Sequence, residues 1–172
     1  VEDTVRAARE LKETTNCDHV TLVGLRLGAL VVAAAANAME ESIVDKLVVW
    51  DSVLSGADYD QELLGEIETN GATSASFVDE ENNLHFNGFC LTSNFRESMQ
   101  QYDLNELRPD VKSILQIVSE EKPGFDQLRK SWSVLPGYSY RCTPAPGDWN
   151  YVDNFGGILL PQPVIQGIVN WI

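Results

Sequence analysis

Arg26 stands at the centre of Gly24-Leu25-Arg26-Leu27-Gly28-Ala29, between the β-branched run His19 to Val23 and an apolar helical pattern over Leu27 to Met39. Small residues two positions either side of an apex suit a sharp strand-to-helix turn, because backbones approach closely there. An apex side chain points into the adjoining pocket, and the following helix start carries partial positive charge. Arg26, with Leu25 and Leu27 beside it, is therefore a candidate site for a carboxylate or phosphate. A simpler reading makes Arg26 the ion-pair partner of Asp51, at the end of the next strand, tying two strand ends together. Other phosphate-binding turns do not fit. Gly24 and Gly28 do not give G-x-G-x-x-G, and no Gly-Lys-Ser/Thr follows.

The remaining reactive residues are sparse. Ser52 and Ser55 have no histidine beside them in sequence, which favours turn or capping roles. His19 opens the first strand and His85 lies in the polar middle of the chain, where a lone histidine is structural or solvated. Cys17, Cys90 and Cys142 form no CxxC pair and read as reduced, inert thiols of a cytoplasmic protein. Asp79-Glu80-Glu81 can attract a cation, yet it lacks the EF-hand spacing and reads as a solvated face. No cofactor or metal motif is present.

Composition bounds the partners. The chain has 172 residues, 44% of them hydrophobic, enough for one packed domain. A formal net charge of −14 repels nucleic acid and anionic membrane, and leaves a small-molecule ligand, lipid-like or anionic, to local features such as Arg26. The longest apolar run, Leu27 to Ala36, is too short for a membrane span, and no signal-peptide pattern opens the chain. Val1 leads directly into a helical pattern, as in a piece of a longer protein.

The elements that must position Arg26 follow from periodicity. Residues 4–14 place Val5, Ala8 and Leu11 on one helical face, and Asn16 ends that helix. The strand at 19–23, the helix at 27–39 and a strand at 46–50 follow, an order that implies parallel strands joined by a crossover. From Leu54 to Pro109 the chain turns polar, with helices near 59–68 and 94–104 and a hairpin from Phe77-Val78 to Leu84-His85-Phe86. A strand at 111–118, a helix at 128–134, a strand at 139–143 and a closing helix at 164–172 complete the reading.

Three segments carry a family resemblance: VGLRLGALVVAAAA, LVVWDSVLSGADYDQELL and FNGFCLTSNFRESMQQYDL. In order and spacing they resemble the exosortase-A-system-associated hydrolases, a bacterial branch of the α/β-hydrolases, including an arginine in the nucleophile elbow. The resemblance spans about residues 18–172 and is strongest at the elbow. It implies the C-terminal half of a three-layer α/β-hydrolase-like parallel sheet. Residues 1–53 would be elbow-containing core, 54–110 an inserted cap, and 111–172 the C-terminal core.

Such a fold hydrolyses esters, amides or thioesters through a nucleophile, a histidine base and an orienting carboxylate. The nucleophile position holds Arg26, whose guanidinium cannot form an acyl-enzyme. The base loop of the family corresponds to Pro146 to Asn150, which contains Asp148 and Trp149, with Asp153 nearby, but no histidine. Trp149 is a candidate ligand contact in that loop, and Asp51, Glu120, Glu121 and Asp126 are the candidate acids. Three functions follow: a hydrolase with a degenerate triad, a non-catalytic binder of an anionic ligand at Arg26, or an assembly component of an exopolysaccharide or protein-sorting system.

Overall fold

Alternation along the two central strands decides the layering. Leu47 and Val49 point to one face of the sheet and Val48 and Trp50 to the other, and all four are buried. Strands apolar on both faces need helices above and below, as a parallel sheet does.

The computed structural model describes residues 1–39, 43–70, 76–86, 88–145 and 161–172. The chain begins with α1 (Glu2–Thr15), β1 (Val20–Leu25), α2 (Leu27–Ala38) and β2 (Val44–Trp50). Next come α3 (Gly56–Asn70), the short strands β3 (Phe77–Val78), β4 (Leu84–Phe86) and β5 (Phe89–Leu91), and α4 (Ser93–Gln100). It closes with β6 (Ser113–Val118), α5 (Pro123–Trp132), β7 (Tyr138–Cys142) and α6 (Gln162–Val169). Four strands form one parallel sheet in the order β1-β2-β6-β7. The result is a mixed α/β fold, a parallel four-stranded sheet flanked by helices.

One face of the sheet carries the larger core. Ala29, Leu30, Ala33 and Ala36 of α2 meet Leu47, Val49 and Ile114 there, joined by Leu128 and Trp132 of α5 and Ala8 of α1. Alanines let α2 lie close to the sheet, which explains a helix with no charged residue on any side. On the other face Val164 and Ile168 of α6 cover Val48, Trp50, Leu115 and Ile117. Burial falls off at β1, an edge strand whose Val23 and Leu25 are 46% and 38% exposed. A buried polar pair ties the opposite edge. Tyr138 Oη donates to Gln116 Oε1 at 2.5 Å, while Gln116 Nε2 donates to the Phe125 carbonyl.

Between β2 and β6 the chain builds a separate unit from α3, α4 and the antiparallel sheet β3-β4-β5. Its keystone is buried charge. The Arg96 guanidinium grips Asp60 with two hydrogen bonds of 2.6 and 3.0 Å and donates to the Asn82 carbonyl at 2.8 Å. Gln100 adds a third bond to Asp60 at 2.7 Å. The Arg96 hydrogen bond holds the Asp60 carboxyl below its ordinary range against the opposing effect of burial, and raises Arg96 in turn. Leu104, just beyond α4, returns to the main core and accepts from Trp132 Nε1 through its carbonyl.

Several elements differ from the sequence reading: α4 ends at Gln100 rather than near 104, and α6 spans Gln162–Val169 rather than 164–172. The hairpin gains a third strand, β5, too short to show periodicity. α5 starts at Pro123 rather than near 128, because a proline at the first helical positions lacks only an N–H that has no intrahelical partner anyway.

Candidate functional site

The carboxyl ends of β1, β2 and β6 open onto a cavity of about 490 Å³. That is the end at which parallel α/β sheets bind ligands, and the volume lies within the small-molecule range. Arg26, Asp51, Ser52, Tyr59, Ser119 and Lys122 are among its lining residues.

Arg26 sits between β1 and α2 with φ 53° and ψ −119°, a positive-φ backbone conformation that costs a residue with a Cβ about 1–3 kcal/mol. Its peptide is clamped at both ends. Arg26 N–H donates to the Trp50 carbonyl at 2.9 Å, and the Arg26 carbonyl accepts from Val53 and Ala29 at 3.1 Å each. Gly24 is required for the turn, since a Cβ there would lie 2.4 Å from the Gly28 carbonyl oxygen and 2.5 Å from Ala29 Cα. Gly28 is not, because a Cβ there would meet nothing within 4 Å. The expected need for small residues on both sides of the apex therefore holds on one side only.

The expected Arg26–Asp51 ion pair is absent among the described residues, and the exposed Arg26 guanidinium makes no hydrogen bond there. Asp51 instead turns across the sheet. Its carboxylate accepts from Ser119 N–H at 2.7 Å, Ser119 Oγ at 2.6 Å and Trp50 Nε1 at 3.1 Å. Asp51 itself has φ 42°, so two consecutive strand ends carry strained non-glycine residues at this cavity. Ser52 follows with 6% exposure, and its Oγ has no hydrogen-bond partner. That partner is absent among the described residues, and the Oγ atom itself is buried.

The other expected site residues separate. Glu120 lines the cavity and pairs loosely with Lys122 at 3.7 Å, both exposed. Glu121 accepts from Tyr140 Oη at 2.5 Å, and Asp126 faces Arg129 one helical turn on, at 3.7 Å. Neither of these two acids lines the cavity. Leu25 lines neither this cavity nor the apolar one described below, which Leu27 does line. Asp148, Trp149 and Asp153 lie outside the described residues.

Both histidines are engaged elsewhere. His19 Nδ1 lies 3.0 Å from Asp45 at the start of β1, the opposite end of the strand. His85 Nε2 lies 3.0 Å from Asp79 Oδ2 within the β3–β4 hairpin, and its ring stacks on Phe77. The His85 bond, helped by Asn83, draws the Asp79 carboxyl down to about 2. Neither histidine lines the Arg26 cavity. A larger open depression, about 910 Å³, lies beside His19 and the end of α1, away from the strained turn.

Sequence reading missed a second cavity, about 410 Å³, lined by Leu27, Tyr59, Leu63, Phe86, Phe89 and Phe95 among others. No charged residue lines it. Tyr59 of α3 lines both cavities, and Leu27 of the apolar one adjoins Arg26 in the chain. The Phe-rich run from 86 to 95 was the available signal, hidden by the shortness of β4 and β5. Asp58 and Glu62, one turn apart on α3, add to the Arg26 cavity two carboxylates that make no ion pair among the described residues. No protein-family model matches the chain, and neither the curated proteins nor the solved structures contain a significant match to it.

Proposed function

We propose that this chain has an α/β-hydrolase-like fold, with the unit between β2 and β6 as its cap, and binds an anionic ligand at Arg26 without Ser-His-acid catalysis. The strained strand-to-helix turn, its order between β1 and α2, and the insertion after β2 support the hydrolase-like reading. The observation that carries the binding reading is the exposed Arg26 guanidinium at the apex of that turn, which makes no hydrogen bond or ion pair among the described residues and lines the same cavity as Ser52. The start of α2 adds partial positive charge where Arg26 already stands. With both histidines paired to aspartates away from the cavity, the chain offers no imidazole base to a nucleophile there.

The test follows the Arg26 side-chain Nε–Hε resonance, assigned by its loss in Arg26→Lys, as sodium acetate or sodium phosphate is added. A saturable shift of that resonance is expected. A response no larger than that to sodium chloride at equal ionic strength sinks the reading.

Ser52 favours a second reading, a hydrolase of an ester, amide or thioester, because its hydroxyl is buried, unpartnered and adjacent to Asp51. Fluorophosphonate labelling mapped by mass spectrometry decides it. Modification at Ser52 would establish an activated nucleophile, and an unlabelled folded protein would remove it.

A further inference from the structure

We infer that the ligand is a carboxylate with a hydrocarbon tail, its head on Arg26 and its tail in the apolar cavity between α2, α3, α4 and the β4–β5 strands. This inference rests on the anion reading of Arg26 and adds the class of molecule. Three observations carry it. First, the apolar and polar cavities share Tyr59 as a wall, and Leu27 of the apolar one follows Arg26 in the chain. Second, Phe89 is 76% exposed and Phe95 43% exposed, on two different elements that border the same space. Two exposed aromatics beside a charge-free cavity form a continuous apolar surface, which water wets at a free-energy cost that a hydrocarbon chain removes. Third, a cation that makes no ion pair among the described residues stands at the cavity's polar end.

Head charge is constrained by the same walls. Asp58 and Glu62 line the Arg26 cavity and make no ion pair among the described residues. Asp51 and Glu120 line it too and Lys122 is its second cation, so carboxylates outnumber cations four to two and each added negative charge on the ligand is repelled. A monoanionic carboxylate fits this balance better than a phosphate dianion. An alkyl chain needs no polar partner from a wall lined by Leu27, Leu63, Leu91 and three phenylalanines.

Isothermal titration with sodium hexanoate, octanoate and decanoate below their micelle concentrations, and with octyl phosphate, tests the inference on the full chain. Affinity should rise by up to about fourfold per added methylene. Phe89→Ser and Phe95→Ser, both at exposed positions, should flatten that rise. Arg26→Ala should weaken every alkanoate by one common factor and leave the rise intact. Octyl phosphate should bind more weakly than octanoate.

A flat series that still depends on Arg26 would overturn the tail assignment and leave the anion site standing. A rising series indifferent to Arg26 would overturn the anchor as well as the head-to-tail arrangement. A rise that survives both phenylalanine changes places the tail elsewhere and overturns the proposal. So does a dimer, seen by sedimentation, that dissociates when Phe89 is changed, because the cavity would then belong to a second copy.

Discussion

Arg96→Met should cost this protein about 3–5 kcal/mol, the range for removing one partner of a buried ion pair. Arg96 and Asp60 are 5% and 1% exposed, so neither charge is rescued by water when the other is lost. In the variant Asp60 keeps a single side-chain donor, Gln100, and the Asn82 carbonyl loses its own bond to Arg96. With a urea dependence of about 2 kcal/mol per molar, the unfolding midpoint followed by circular dichroism should fall by roughly 2 M. Replacing both partners, Asp60→Leu with Arg96→Met, should recover most of the loss, because an apolar pair leaves no unpaired charge.

Acid gives the same pair a second signature. The Asp60 carboxyl is held below its unfolded value of about 3.9, so the pair's contribution is present above that pH and fades as pH falls through the folded value. In Arg96→Met the dominant lowering influence is gone and burial pushes Asp60 the other way. The variant's deficit should therefore shrink between pH 7 and pH 4. A deficit below about 1 kcal/mol at pH 7, or one that does not change across that interval, refutes the keystone role. The groove is at stake as well, since Asp60 neighbours Tyr59 on α3 and Arg96 neighbours Phe95 on α4.

Two further perturbations probe the elbow. Gly24→Ala forces a Cβ into the Gly28 carbonyl and Val32 Cγ2 at 2.4 and 2.5 Å and should destabilise by about 1–3 kcal/mol or more, read by thermal unfolding. An unchanged midpoint would show the turn to be wider than described. Arg26→Gly should melt about 2–4 °C above Arg26→Ala, since both lose the guanidinium and only glycine releases about 1 kcal/mol of strain at φ 53°. Equal midpoints would mean the apex is unstrained.

The sheet was legible because its strands are buried on both faces, and Val48-Val49 and Ile114 to Val118 announce that without any long-range information. The Gly24–Arg26 turn was legible for a related reason: a glycine is spent where two backbones collide. Partner choice was not. Arg26 and Asp51 end adjacent strands, and charge alone predicts that they meet. Asp51 instead satisfies a backbone N–H and a hydroxyl on Ser119, a residue 68 positions away. A carboxylate with three donors in reach has little left to gain from a guanidinium that water already solvates. The apolar cavity was hidden differently, because its wall is assembled from five elements spread along the chain, two of them three-residue strands that carry no period.

In the proposed binding at Arg26, the clamped peptide also sets the entropy of recognition. With its N–H held by β2 and its carbonyl held by both the following helix and the Val53 amide, the apex backbone has no freedom left to lose when a ligand arrives. What remains to be ordered is one arginine side chain, at about 0.5–1.5 kcal/mol. Association at this site should accordingly proceed at the same rate whether the guest is good or poor, with selectivity expressed in how long the guest stays.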